Sequence, residues 1–248
     1  MIICELGLNH LGDVNYAYQC IDKLIKSKPD AITFQVREKS FYDKNSHSGL
    51  VLPKNFYRKI VTKIKNTHIK FGMAIADEGM VDFFEEMGID FYKVLSFDIS
   101  NRSLLTRLIK TKKKIFVSTG MSNIHEIRQL VKFLKNNKKR FTLIHTQLTH
   151  EINDVNLKAI TMLKEQFDMP IAYGHHTTNL NVLFLALSYC PSDLFFYVKG
   201  TKTKKHLDDE HAIRLDELDY VINNLKILPN AIGKRVKIKM NNLIEKNS

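Results

Sequence analysis

The sequence predicts an α/β protein, a (β/α)₈ (TIM) barrel, and two observations carry that expectation. Eight short apolar β-type runs alternate with helical patterns from end to end. The 248 residues also suit a single such barrel, which takes about 250. A doubly wound open sheet would have fewer strands and a glycine-rich first turn, and that turn is absent.

The strand candidates are Ile2–Leu6, Ala31–Gln35, Lys70–Ile75, Phe91–Leu95, Lys114–Ser118, Phe141–Thr146, Pro170–Tyr173 and Leu194–Val198. Each is apolar and bounded by polar loops, as parallel strands covered on both faces must be. Helical patterns fall at Tyr16–Ser27, Lys54–Asn66, Glu78–Met87, Arg102–Lys110, Ile124–Asn136, Asn156–Phe167 and Leu180–Tyr189, with Leu215–Leu225 after the last strand. No Pro/Gly/Ser linker divides the chain, so residues 1–248 are expected to form one domain. The basic segment Lys234–Ser248 is expected to close it as a helix.

Composition narrows the class. No run reaches the ~20 apolar residues of a membrane span, and MIICELG is interrupted too early by Glu5 to be a secretory signal. A cytoplasmic protein is therefore expected. Three cysteines, Cys4, Cys20 and Cys190, form no CxxC pair and predict no disulfide framework. Cys4, in an apolar run, reads as a small buried hydrophobe. The net charge of +12 comes from lysines spread along the chain without an aromatic-interleaved stripe. It reads as solvated helix faces, and nucleic acid is not an expected partner.

In a barrel, residues at strand C-termini converge on one mouth. Those positions hold Glu5, Asn9, His10, Gln35, Arg37, Asp77, Lys93, Ser96, Asp98, Ser118, Thr119, His145, His175, His176, Tyr197 and Lys199. Carboxylates, imidazoles, cations and hydroxyls thus collect at one end.

Several stretches resemble the sialic acid synthase family. CELGLNHLGD is similar to its E-I-G-x-N-H-x-G, AITFQ to V-K-F-Q, and YKVLSFDISN to Y-K-I-x-S-G-[DE]-x-x-N. VSTGM matches outright. LIHT…NDVNLKAI is similar to L-L-H-C-T…E-D-V-N-L, and IAYGHHT to V-G-Y-S-D-H-T. The fragments occur in order at barrel spacing over nearly the whole chain. The family's C-terminal antifreeze-like domain is not expected in this chain, and association into a homodimer is left open.

The resemblance implies condensation of phosphoenolpyruvate with the aldehyde of an open-chain sugar, assisted by a divalent metal, manganese or magnesium. Such a site needs cations and hydroxyls for phosphate, a Lewis acid, and carboxylates to move protons. By position, Lys93, Ser96 and Ser118 would hold phosphate and carboxylate oxygens. A buried lysine on a barrel strand is costly unless it meets an anion. Glu5, with Asn9 and His10 behind it, is either a site acid or half of an ion pair across the barrel. Asp98 is either a carboxylate near the sugar or a turn residue before Arg102. His176 falls at a metal-binding histidine of the family, and His175 is a second candidate ligand.

Four departures touch the chemistry. Thr33 stands where the family has a phosphate-binding lysine, Tyr197 where it has a second metal histidine, and Gly174 and His175 replace Ser-Asp. The loop after the sixth strand is also shorter. Side chains two apart on a strand share a face, so Gln35 and Arg37 lie with Thr33, and Lys199 lies with Tyr197. Arg37 would then return a cation to the mouth, its fork well suited to phosphate. The metal site would be rebuilt from His175, His176, His145, His206 or His211, or be lost. The alternatives to the synthase are an aldolase or lyase on another phosphorylated or carboxylated sugar, and a non-catalytic regulatory relative.

Overall fold

The computed structural model describes residues 1–200, 204–233 and 236–237. The strands are β1 Ile2–Gly7, β2 Ala31–Val36, β3 Lys70–Ile75, β4 Phe91–Val94, β5 Lys114–Ser118, β6 Phe141–His145, β7 Ile171–His175 and β8 Leu194–Lys199. Each pairs in parallel with the next, and β8 pairs with β1, which closes the barrel. A two-residue strand, β9 (Ile213–Arg214), adds to the end of β8. Helices follow the strands: α1 Val14–Ser27, α2 Lys54–Lys65, α3 Val81–Met87, α4 Arg102–Lys110, α5 Ile124–Leu134, α6 Lys158–Phe167, α7 Leu180–Ala186 and α8 Leu218–Ile227. The expected closing helix at Lys234–Ser248 lies outside the described residues, save for Val236 and Lys237. Among the described residues, no helix is long and apolar enough to cross a membrane.

The elements form where local chemistry and periodicity agree. In α1, Ala17, Cys20, Ile21 and Leu24 are buried at helical spacing, and Asp13 caps the helix by accepting from the Tyr16 amide at 2.9 Å. In α5, Asn123 and Glu126 form a reciprocal capping box. Strand alternation then splits the core. Outward residues such as Cys4, Phe34, Tyr92, Tyr173 and Phe196 pack against the helices. Cys4 is fully buried among them, and burial pushes its thiol well up, as an unreactive core residue requires.

Inward residues fill the barrel. Ile3, Ala31, Phe91, Phe116, Ile144, Ala172 and Phe195 form one plug. Phe116 meets Phe91 edge-on at 5.3 Å and Phe195 at 4.9 Å. This aromatic layer floors the site above it. Gly72 makes room for it, because a Cβ there would stand 2.3 Å from the Phe91 ring. We expect Gly72→Ala to cost about 1–3 kcal/mol by overpacking, read as a lower urea midpoint with an unchanged slope.

Candidate active site

Above the plug, the strand register brings the polar inward residues to one level. Glu5 lies opposite Thr33 on β2 and Tyr197 on β8, while Gln35 aligns through Ala74 with Lys93. Lys93 Nζ donates to both carboxylate oxygens of Glu5, at 2.6 and 2.7 Å, and each residue is at most 5% exposed. Thr33 Oγ1 adds a long hydrogen bond to Glu5 at 3.4 Å. The ammonium stands 5.3 Å above the Phe195 ring and 5.5 Å from that of Tyr197. The Glu5–Lys93 pair is therefore desolvated, with both carboxylate oxygens hydrogen-bonded to the ammonium.

Beside it, Ser96 and Ser118 hydroxyls meet at 2.7 Å, and Tyr197 donates to Gln35 Oε1 at 3.4 Å. Gln35, Lys93, Ser96, Ser118, His176 and Tyr197 line one cavity of about 110 Å³, together with Leu95, Phe97 and Leu148. The cavity thus brings a lysine already paired with Glu5, two hydroxyls and an amide into one small space. Phe97 and Leu148 are 44% and 42% exposed, so the rim is apolar and open to a larger group.

Other residues expected at the mouth do different work. His10 is fully buried, faces Phe34 at 5.8 Å on the helix side of β2, and accepts from the Gly12 amide through Nδ1. This corrects its expected catalytic role: the ring belongs to the layer between strands and helices. Burial pushes its pKa down to about 4. A histidine depressed in the fold gives stability that is fully present above its unfolded pKa near 6.5 and lost as pH falls toward 4. We expect His10 to contribute up to roughly 3 kcal/mol of acid sensitivity in that window. The urea midpoint of His10→Asn should therefore depend less steeply on pH than that of the parent protein.

His175 also requires correction. β7 continues to His175, so Tyr173 and His175 face outward while Gly174 and His176 face the mouth. His175 Nδ1 lies 3.4 Å from the Tyr173 hydroxyl, away from His176's side of the strand. His145, of the same outward parity on β6, is bonded to the Val155 carbonyl at 2.9 Å.

Arg37 does not return its charge to the cavity. Its guanidinium makes a two-point pair with Glu38 at 2.9 and 3.0 Å and lies between the Phe41 and Phe97 rings. Lys199 likewise turns away from substrate space, donating to the Asp209 carboxylate at 2.8 Å. Asn9 spends its amide on structure, donating to the Val198 carbonyl at 3.0 Å and accepting from the Asp208 amide at 3.2 Å. Thr119 bonds the Ile144 carbonyl. Asp98 sits in the turn Ser96–Asp98, but Asn101 caps α4. Asp98 Oδ2 is buried without a partner among the described residues, and burial raises the carboxyl's pKa.

The loop between β8 and β9 supplies His211, one of several candidate ligands, and Asp208, which was not among the expected site residues. The ring of His211 stacks on His176 at 4.5 Å and on His150 at 4.9 Å, and Tyr197 meets both His176 and His211 edge-on. Asp208 approaches His211 Nε2 at 3.9 Å, and burial, then the charge of Glu5, pushes its carboxyl up to about 7. Among the described residues, no three His, Cys, Asp or Glu side chains already stand at metal-binding spacing.

Fold and mouth together define a closed (β/α)₈ barrel with a small polar cavity at the C-terminal ends of its strands. The model of the NeuB family matches residues 14–237, and the chain belongs to that family. It is 29% identical to the N,N'-diacetyllegionaminic acid synthase of Campylobacter jejuni, over 96% of this chain and 78% of that protein. It is 31% identical to an uncharacterized protein of Methanocaldococcus jannaschii, over 96% of this chain and 74% of that one. Among solved structures, the N-acetylneuraminic acid synthetase of Leptospira borgpetersenii, in complex with citrate, shares the fold. Its TM-score is 0.89 at 24% identity, over 99% of this chain and 89% of that one.

Proposed function

We propose that the chain is a synthase of the sialic acid type, joining phosphoenolpyruvate to a sugar aldehyde to make a nonulosonic-type acid for a surface glycan. One observation carries this reading: in a NeuB-family barrel, Lys93, Ser96, Ser118, Gln35, His176 and Tyr197 converge on one small cavity. Lys93 and the two hydroxyls suit phosphoenolpyruvate's oxyanions, and the open rim of Phe97 and Leu148 leaves the sugar above them. The new bond forms between the enol carbon and the aldehyde carbon, and the aldehyde oxygen takes a proton. Water adds at the neighbouring carbon, whose bond to the phosphate oxygen breaks to release phosphate.

Glu5, at hydrogen-bond distance from Lys93, is placed to exchange a proton as that charge develops, and Asp98 offers a second carboxyl at the rim. A bound divalent ion would supply Lewis acidity at the sugar carbonyl. His176, with its ring at the mouth, is the residue placed to hold one.

A second reading rests on Lys93 as the one lysine lining the cavity among the described residues. With Thr33 in place of a lysine and Arg37 held by Glu38, the site also suits a lyase or aldolase acting on a substrate with one anionic group. The test is phosphate release from phosphoenolpyruvate with a divalent metal and a panel of aldoses. Sugar-dependent release is expected, and Ser118→Ala should lower it about tenfold or more, the worth of a charged hydrogen bond. No release with any sugar would leave the lyase or aldolase.

A further inference from the structure

We propose that the N-terminal end of the barrel, opposite the mouth, docks on an anionic phospholipid surface through two adjoining basic turns. The inference goes beyond the synthase reading and does not rest on it.

Nearly all of the net charge falls in one stretch, where an even spread was expected. Residues 101–150 hold 12 Lys and Arg against one acid, Glu126, while the other 198 residues hold 26 against 25. The fold gathers this charge further. β5 and β6 are neighbours, with Ile115 opposite Phe141, so the turns that enter them lie side by side. Arg140 ties the two turns together, donating to the Lys113 carbonyl at 3.2 Å and to the Ile109 carbonyl at 2.9 Å.

Three cations of the stretch meet acids: Arg107 pairs with Asp82, Lys113 with Glu85 and Lys114 with Asp193. Lys110, Lys112, Arg128, Lys132, Lys135, Lys138 and Lys139 pair with no acid among the described residues, and all but Lys138 are exposed. Basic residues at the C-terminal ends of α4 and α5 offset the helix dipoles, but each dipole end is worth only about half an elementary charge. Seven unpaired cations exceed that several-fold, and they repel one another until an anion approaches.

The kind of anion follows from what accompanies the charge. A folded protein partner needs an apolar centre, and a single-stranded nucleic acid needs aromatic faces on which to stack. Among the described residues, no large apolar side chain is exposed in 102–120 or 122–147. Six of the seven cations are lysines, hydrated point charges on flexible stems without arginine's two-point fork. Such a cluster suits a fluid array of anionic headgroups. Between α5 and α6, an open cleft of about 510 Å³ is lined by Arg128, Lys132, Lys135 and Lys138, with Val131 and Phe167 buried in its wall. It offers one phosphate headgroup four cations and an apolar surface for its glycerol. Docked by this end, the barrel keeps its mouth toward water.

The test is co-sedimentation of the full chain with vesicles of equal phosphatidylglycerol and phosphatidylcholine, and with vesicles of phosphatidylcholine alone. Binding to the mixed vesicles that falls as salt is raised is expected, with none to the neutral ones. Each lysine near such a surface strengthens binding about fivefold, so Lys112→Gln/Lys132→Gln/Lys135→Gln/Lys139→Gln should bind about a hundredfold more weakly or worse. The charge-matched Lys23→Gln/Lys26→Gln/Lys44→Gln/Lys59→Gln, on α1, α2 and the loop before α2, should stay within about fivefold of the parent. If the first variant does not fold, Lys112→Gln/Lys139→Gln alone must weaken binding about tenfold or more. No binding to the mixed vesicles at low salt, equal binding to the neutral ones, or equal losses in the two quadruple variants would overturn the surface. Tighter binding to a short DNA duplex than to the mixed vesicles, at equal phosphate concentration, would overturn it in favour of nucleic acid.

Discussion

Replacing Lys93 with methionine is expected to destabilise the protein by about 3–5 kcal/mol, because it leaves the Glu5 carboxylate buried without its counter-ion. Glu5 is 2% exposed, and its remaining side-chain partner is Thr33 at 3.4 Å. That hydroxyl cannot replace an ammonium bonded to both oxygens. The double variant Glu5→Met/Lys93→Met should recover most of the stability, since a buried pair exchanged for apolar groups of similar volume is often neutral. It should not recover phosphate release. Urea unfolding of both single variants and the double, alongside the phosphate assay, separates the pair's structural worth from its chemistry. Phosphate release from the well-folded double variant would remove Lys93 and Glu5 from the site.

Phe195→Ala is expected to cost about 3–5 kcal/mol, the range for a fully buried aromatic. The ring is 0% exposed, packs edge-on to Phe116 at 4.9 Å, and lies beneath the Lys93 ammonium at 5.3 Å. The cavity left would open directly under the ion pair. The same substitution should therefore weaken phosphoenolpyruvate binding as well as the fold. Phe195→Leu, which keeps most of the volume, should cost under half as much and largely retain binding. A calorimetric titration of both variants, at a temperature where each is folded, reads the two effects separately.

The barrel and the inward face of its strands were legible in the sequence, and the turns were not. Alternation alone placed Gln35 with Thr33, and six expected residues share one cavity. Side chains at and beyond the strand ends are different, because partners in the turns and loops that follow set their direction. Arg37 was expected to follow the parity of Gln35, but Glu38 and two aromatic rings hold its guanidinium aside. Lys199 was expected beside Tyr197 and is taken by Asp209. β7 runs to His175, two residues beyond the expected Tyr173, and this gives His175 its outward parity. His10 looked catalytic because it follows Glu5 and Asn9, yet the turn after β1 carries it over Phe34. Asp208 went unmarked in a run of acids because its loop has no periodicity. Its place over the mouth depends on a hydrogen bond to Asn9, nearly two hundred residues earlier. His211 was one of several possible ligands, and only its neighbours distinguish it.

On the proposed function, the cavity at Lys93, Ser96 and Ser118 receives the oxyanions of phosphoenolpyruvate. A crystal structure of the protein soaked with phosphoenolpyruvate tests it most directly. The expected ligand has phosphate or carboxylate oxygens within hydrogen-bond distance of Lys93 Nζ and of both serine hydroxyls, with Lys93 shared between the ligand and Glu5. A ligand bound elsewhere on the barrel, or an intact Glu5–Lys93 pair above an empty cavity at saturating concentration, would contradict it.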